Sequence, residues 1–222
     1  MITTPIPLFP LGLVLLPGAS VPLHLFEPRY RTMLQDVASS DNRFGLIAPP
    51  QDVSESRLPA GRIGCLAHIV ASEVLPDGRA NIVVEGETRF RFDGYVDAGT
   101  PYRMGAVSAW DDTPDLAESL ASAAERLMAL ALRAVTASMT IHDVTSPAPA
   151  FGDDPALLSF QVAQLLRTGN DTLYALLAER SPLLRMQRIE KLLRTGLGDL
   201  EEAADLHVRA KTNGHHHGPP PG

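Results

Sequence analysis

The sequence predicts an α+β protein: a strand-rich first half closing into a small barrel, and a second half folding as a bundle of helices. Three observations carry this reading. Up to Trp110 the apolar residues fall in short runs separated by turns containing Pro and Gly. Beyond Trp110 they recur at helical spacing. One short helical stripe near the start interrupts the strands.

Residues 8–16 and 21–26 read as apolar strands flanking a Pro17-Gly18 turn. Pro28 then sits where a helix accepts proline, in its first turn. Tyr30, Met33, Leu34 and Val37 follow at i, i+3, i+4 and i+7, a helix to about Ser39. Residues 44–48 form a strand and 49–61 a polar loop. Residues 63–75 are apolar on both parities, as in a strand buried on two faces. Pro76-Asp77-Gly78 supplies a turn, and 80–85 returns as the hairpin partner. Gly86 interrupts before a strand over 88–96, which places Phe90, Phe92 and Val96 on one face and Arg89, Arg91 and Asp93 on the other. A last strand spans 102–110, and so many short strands suggest a closed or nearly closed barrel.

After Trp110 the period changes. Thr113-Pro114 reads as the start of a helix with Leu116, Leu120, Ala123, Leu127, Leu130 and Ala134 on one stripe. Asp154-Pro155 starts a second helix, residues 171–180 a third, and Ser181-Pro182 a fourth. The Asp111-Asp112 and Asp153-Asp154 pairs resemble catalytic carboxylates, but each precedes a proline-started helix and reads as capping.

Hydrophobic residues at 45% and charged residues at 20% of 222 permit a real core and argue against wholesale disorder. A formal net charge of -7 disfavours broad attraction to nucleic acid or an anionic membrane. Cys65 is the only cysteine, so a disulfide within the chain and a cysteine-based zinc site are excluded, and a reducing cytoplasm is the simplest compartment. Residues 11–16 followed by Gly18-Ala19-Ser20 imitate a leader. No Lys or Arg precedes Arg29, however, and Pro5, Pro7, Pro10, Pro17 and Pro22 would break any helix. A bilayer span also needs ~20 apolar residues. Neither a leader nor a membrane anchor is expected.

In order along the chain stand PLFPLGLVLLPG from Pro7, PLHLFEPRY from Pro22, the apolar run from Ile63 with its PDG turn, and VEGETRF from Val84. Together these resemble the N-terminal substrate-binding domain of the ATP-dependent Lon proteases, over residues from about 5 to about 200. The resemblance implies a PUA-like β pseudo-barrel with one short helix over 1–110, then a C-terminal helical bundle over 112–200. Residues 201–222, acidic and then low in complexity, are expected to form a tail without fixed structure. The family resemblance further implies binding of unfolded or degron-bearing polypeptides in protein quality control. Lysines too few and wrongly placed for ATPase or protease chemistry make a stand-alone, non-enzymatic protein the expectation. A protease or chaperone partner is implied, a homodimer is left open, and no cofactor is expected. The only lysines are Lys191, behind Glu190 in a helical stripe, and Lys211, with no glycine-rich loop before it. Neither can serve a P-loop, and a Ser-Lys peptidase dyad would need one of the same two.

Candidate peptide-binding residues are Phe26, Arg29 and Tyr30 at the strand–helix junction, Arg89 and Arg91 on the barrel wall, and Trp110 at the boundary between strands and helices. Against these stand simpler roles. The aromatics fit a core; Arg29 fits a local ion pair; Arg89 and Arg91 fit a solvated outer face. His24 with Glu27 lacks a third metal ligand at suitable spacing, His68 reads as a hydrogen-bonded core histidine, and His215 to His217 as compositional bias. The alternative function is an RNA-binding module, which requires a basic patch around Arg89, Arg91 and Arg103.

Overall fold

In the computed structural model, which describes residues 5–213, one long strand organises the sheet. The strands are β1 (Ile6–Pro10), β2 (Ser20–Leu25), β3 (Arg43–Ile47), β4 (Ile63–Val74), β5 (Ala80–Val96) and β6 (Arg103–Ala109). The helices are α1 (Pro28–Ala38), α2 (Ala117–Ile141), α3 (Pro155–Ala163), α4 (Asn170–Ala178) and α5 (Pro182–Asn213). The second half of β5 pairs with β6, which pairs with β1; β1 runs parallel to β3, β3 pairs with β4, and β4 returns to β5. That circuit closes a ring, the expected pseudo-barrel. β2 stands outside it, paired only with the first half of β5.

The strand expected over 8–16 ends at Pro10. Leu11 donates one last ladder bond to the Ile47 carbonyl at 3.1 Å, and the chain then turns away. Its apolar continuation, Val14 to Leu16, is buried as irregular chain. The break expected at Gly86 does not occur, and β5 runs straight through. Glycine is needed there because a neighbouring backbone comes close: a Cβ would lie 2.2 Å from the Leu16 carbonyl oxygen. The Gly86 amide donates to Ala19 O at 2.9 Å, and its carbonyl accepts from the Gly18 amide at 2.7 Å. The outer half of β4 is exposed, Val74 by 66%, although its sequence reads as buried on both faces.

The helix expected at Thr113 starts at Ala117, because the preceding residues are committed to another helix. Thr113 donates to the Arg180 carbonyl at 2.8 Å. The Asp115 carboxylate accepts from Ser181 Oγ and from the Leu183 amide, capping α5. Asp154, by contrast, caps its own helix through the Ala156 amide, as expected. α2 and α5 run parallel, since their ion pairs advance together: Arg126 with Glu190, Arg133 with Glu201, and Asp143 with His207. The tail expected from 201 is not one up to Asn213. LEEAADL favours helix, and Leu197 and Ala204 keep an inward stripe going. Residues 214–222, including the three histidines, lie outside the described residues.

A single hydrophobic cluster runs from Phe9, Tyr30 and Phe44 in the barrel half to Leu127, Phe160 and Met186 in the helices. The two halves therefore share one core. A smaller cluster of Leu8, Ile47, Leu58, Phe90, Phe92 and Val107 gathers on the other face of the ring strands.

Candidate functional site

β2 ends on a buried Leu25, and the chain bends into α1 at Pro28. The inward stripe of α1 carries Tyr30 into the core at 3% exposure, its ring 4.3 Å from that of Phe9. Phe26, one residue past the strand, stacks on the His24 ring with centroids 6.3 Å apart instead of entering the core, and stands 62% exposed. Between the end of β1 and β2 lies a pocket of about 250 Å³, walled by Phe9, Leu11, Leu23 and Tyr30, with Phe26 at its lip.

The rim of this pocket is an ion cluster. Arg29 donates to Glu27 at 2.8 Å and to both carboxylate oxygens of Glu55, and its guanidinium lies 4.5 Å from the centre of the Tyr30 ring. The Tyr30 hydroxyl donates to Glu55 at 3.3 Å. The Arg29 hydrogen bonds hold the Glu55 carboxyl below its ordinary value. Burial, reinforced by the Glu55 charge, pushes the Tyr30 phenol well above its own. Tyr95 donates to the Glu55 carbonyl, pinning the 3₁₀ turn Glu55–Arg57 beside the pocket. Arg29 thus spends its charge locally, ordering the rim.

The structure brings Phe26, Arg29 and Tyr30 to one pocket and separates the other candidates from it. Arg89, expected on a solvated face, is 6% exposed, because the helical half covers that side of β5. It donates to the carbonyls of Leu177 and Glu179 at 2.8 and 2.7 Å and to Asp112, while burial lowers its pKa. Trp110 is half-buried on the same seam, Nε1 donating to Ala178 O at 3.0 Å, with Arg180 over its ring. Arg91 is exposed and pairs with Asp93. The basic patch of Arg89, Arg91 and Arg103 therefore does not form: Arg89 is buried and Arg103 lies over the Tyr95 ring.

Sequence reasoning missed Arg185, which is wholly buried. It meets Asp112 through two bonds of 2.9 and 3.1 Å and rests 3.8 Å above the Phe160 ring. An arginine beside Met186 and Ile189 on the inward stripe of α5 was the available signal. Asp112 is accordingly an anchor for two arginines and not a cap. A larger cavity, about 580 Å³, lies between α2, α3 and α5, and no sequence candidate lines it.

His24 Nδ1 lies 2.8 Å from Asn81 Oδ1. Among the described residues no group of three or more His, Cys, Asp or Glu is placed to hold a metal, and no helix is long and apolar enough to cross a membrane. Burial pushes the Cys65 thiol up to about 12, the signature of an inert core thiol.

The family model described as the ATP-dependent protease La (LON) substrate-binding domain matches residues 5–195. The Lon protease of Azorhizobium caulinodans is 32% identical over 122 residues, 53% of this chain. That of Cytophaga hutchinsonii is 27% identical over 117 residues, 51% of this chain. Each match covers 14% of the relative's own length. Among solved structures, a Lon N-terminal domain protein from Xanthomonas campestris aligns with a TM-score of 0.58 at 28% identity, covering 83% of this chain and 95% of that one. The N-terminal domain of the Mycobacterium avium complex Lon protease aligns at 0.62 with 20% identity, over 86% of this chain and 98% of that one, a likeness of fold alone.

Proposed function

Because the chain belongs to the family of LON substrate-binding domains, we propose that it binds polypeptide segments and carries no catalytic centre within these residues. The observation that carries the reading is Phe26, a large aromatic ring left in water at the lip of an apolar pocket. Exposing such a side chain forgoes about 2 kcal/mol of burial, which a bound apolar segment restores. The segment is unfolded or degron-bearing and presents apolar side chains. The role is recognition in cytoplasmic protein quality control, ahead of a protease or chaperone that acts on the bound client. Lys191 and Lys211 both lie on α5 and neither follows a glycine-rich loop, which fits a role without nucleotide chemistry.

The test is a fluorescence-anisotropy titration against labelled, reduced and carboxymethylated α-lactalbumin and, in parallel, a labelled single-stranded RNA, at low and physiological salt. Saturable micromolar polypeptide binding that survives salt supports the reading. Salt-sensitive RNA binding alone, or no binding to either, overturns it.

A further inference from the structure

β2 is the strand left outside the closed ring, and its inner edge alone is paired, Ser20 to Leu25 against Glu85 to Ala80. Among the described residues, no hydrogen bond reaches the backbone of Ser20–Leu25 from the other side. Pro22 sits at the centre of the strand. A proline within a sheet turns its nitrogen to the unpaired edge, and antiparallel pairing alternates residue by residue. The outward backbone groups are therefore those of Ser20, Pro22 and His24. That edge offers two amide donors and three carbonyl acceptors at strand spacing, a pattern that an extended backbone matches at several points at once.

The pocket opens along the same edge, with β2 as one wall and the end of β1 as the other. At about 250 Å³ it is smaller than the ~300–1,000 Å³ typical of whole-ligand sites, and it suits an anchoring side chain. Its rim holds two carboxylates, Glu27 and Glu55, against one guanidinium, Arg29, which disfavours an acidic anchor.

We infer that an extended polypeptide adds to the outer edge of β2 as a further strand, with one apolar side chain in the pocket under Phe26. This deepens the polypeptide-binding reading and rests on it. Recognition is then of backbone plus one apolar side chain, so it selects unfolded, non-acidic segments and tolerates many sequences.

The experiment uses a labelled ten-residue peptide alternating leucine and threonine, and two versions N-methylated on every second residue, one for each parity. Only one parity of amides faces β2, so methylation at that parity weakens binding at least about tenfold, the effect of losing one or two hydrogen bonds, while the other parity binds as the parent. His24→Pro removes an amide donor that has no backbone partner in the free protein; measured against His24→Ala, which loses the same imidazole and its contact with Asn81 but keeps the amide, it weakens the parent peptide similarly and unfolds at the same temperature. Equal loss at both parities, or unimpaired binding to His24→Pro, overturns strand addition while leaving polypeptide binding in place. If neither the parent peptide nor unfolded α-lactalbumin binds, both readings fall. A dimer in sedimentation that His24→Pro dissociates, without peptide binding, assigns the edge to a second copy and overturns the inference.

Discussion

Arg185 and Asp112 form a two-pronged pair that fastens α5 to the segment following β6, and Arg89 of β5 reaches the same carboxylate. Two buried guanidiniums thus share one acid, with the backbone carbonyls of Leu177, Glu179 and Ala156 and the Ser159 hydroxyl accepting further donors. The seam between barrel and helices is a charged joint set in an apolar core, and it holds the pocket-bearing half against the helical half.

Removing the shared acid strands both arginines. Asp112→Ala is expected to destabilise the protein by about 3–5 kcal/mol in urea unfolding, the range for breaking a buried pair from one side. Arg185→Met is expected to be milder, because Arg89 then keeps Asp112 to itself and loses a like-charged neighbour. Equal losses for the two variants count against a shared acid.

Gly86→Ala drives a methyl group into the Leu16 carbonyl, which is backbone and cannot swing aside. A loss of about 1–3 kcal/mol is expected, with the turn at 16–19 displaced. Gly12→Ala is the control, since a Cβ there meets nothing within 4 Å. Urea unfolding of the two variants reads the difference.

Stability in acid follows from the Glu55 carboxyl, held below its ordinary value of 4.5 first by its hydrogen bonds from Arg29. A depressed folded-state pKa contributes stability above the unfolded value and loses it as pH falls through the folded one. The Arg29–Glu55 contribution is therefore present above about pH 4.5 and fades below it. Both side chains are about a third exposed, so its size is about 1 kcal/mol at most. Glu55→Gln is expected to be less stable than the parent at neutral pH and to converge with it in acid, measured by unfolding across a pH series.

Phe26→Ala is expected to leave stability within about 0.5 kcal/mol, since the ring is mostly in water, and to weaken polypeptide binding about tenfold. Calorimetry and an anisotropy titration on the same preparation separate the two effects.

What the sequence showed was local. The α1 stripe of Tyr30, Met33, Leu34 and Val37, the Asp154 cap and the turn at Gly78, with φ at 81°, each depend on neighbours a few residues away. What it hid depends on distant partners. Alternation put Arg89 opposite Phe90, which is correct for the strand, but gave no sign that α3 and α4 would roof that face. Asp115 reads as part of its own helix start and is spent on α5, 66–68 residues away. Gly86 looks like a break because close backbone approach and strand termination both select glycine. Phe26 and Tyr30 are aromatics four residues apart, and periodicity alone does not say that one is core and the other lip.

Amide hydrogen exchange of the protein with and without saturating unfolded α-lactalbumin tests polypeptide binding at the pocket and the β2 edge. Exchange is expected to slow over residues 9–11 and 20–30, around the pocket and the outer edge of β2. Protection confined to the helical cavity between α2, α3 and α5, or none anywhere, would contradict it.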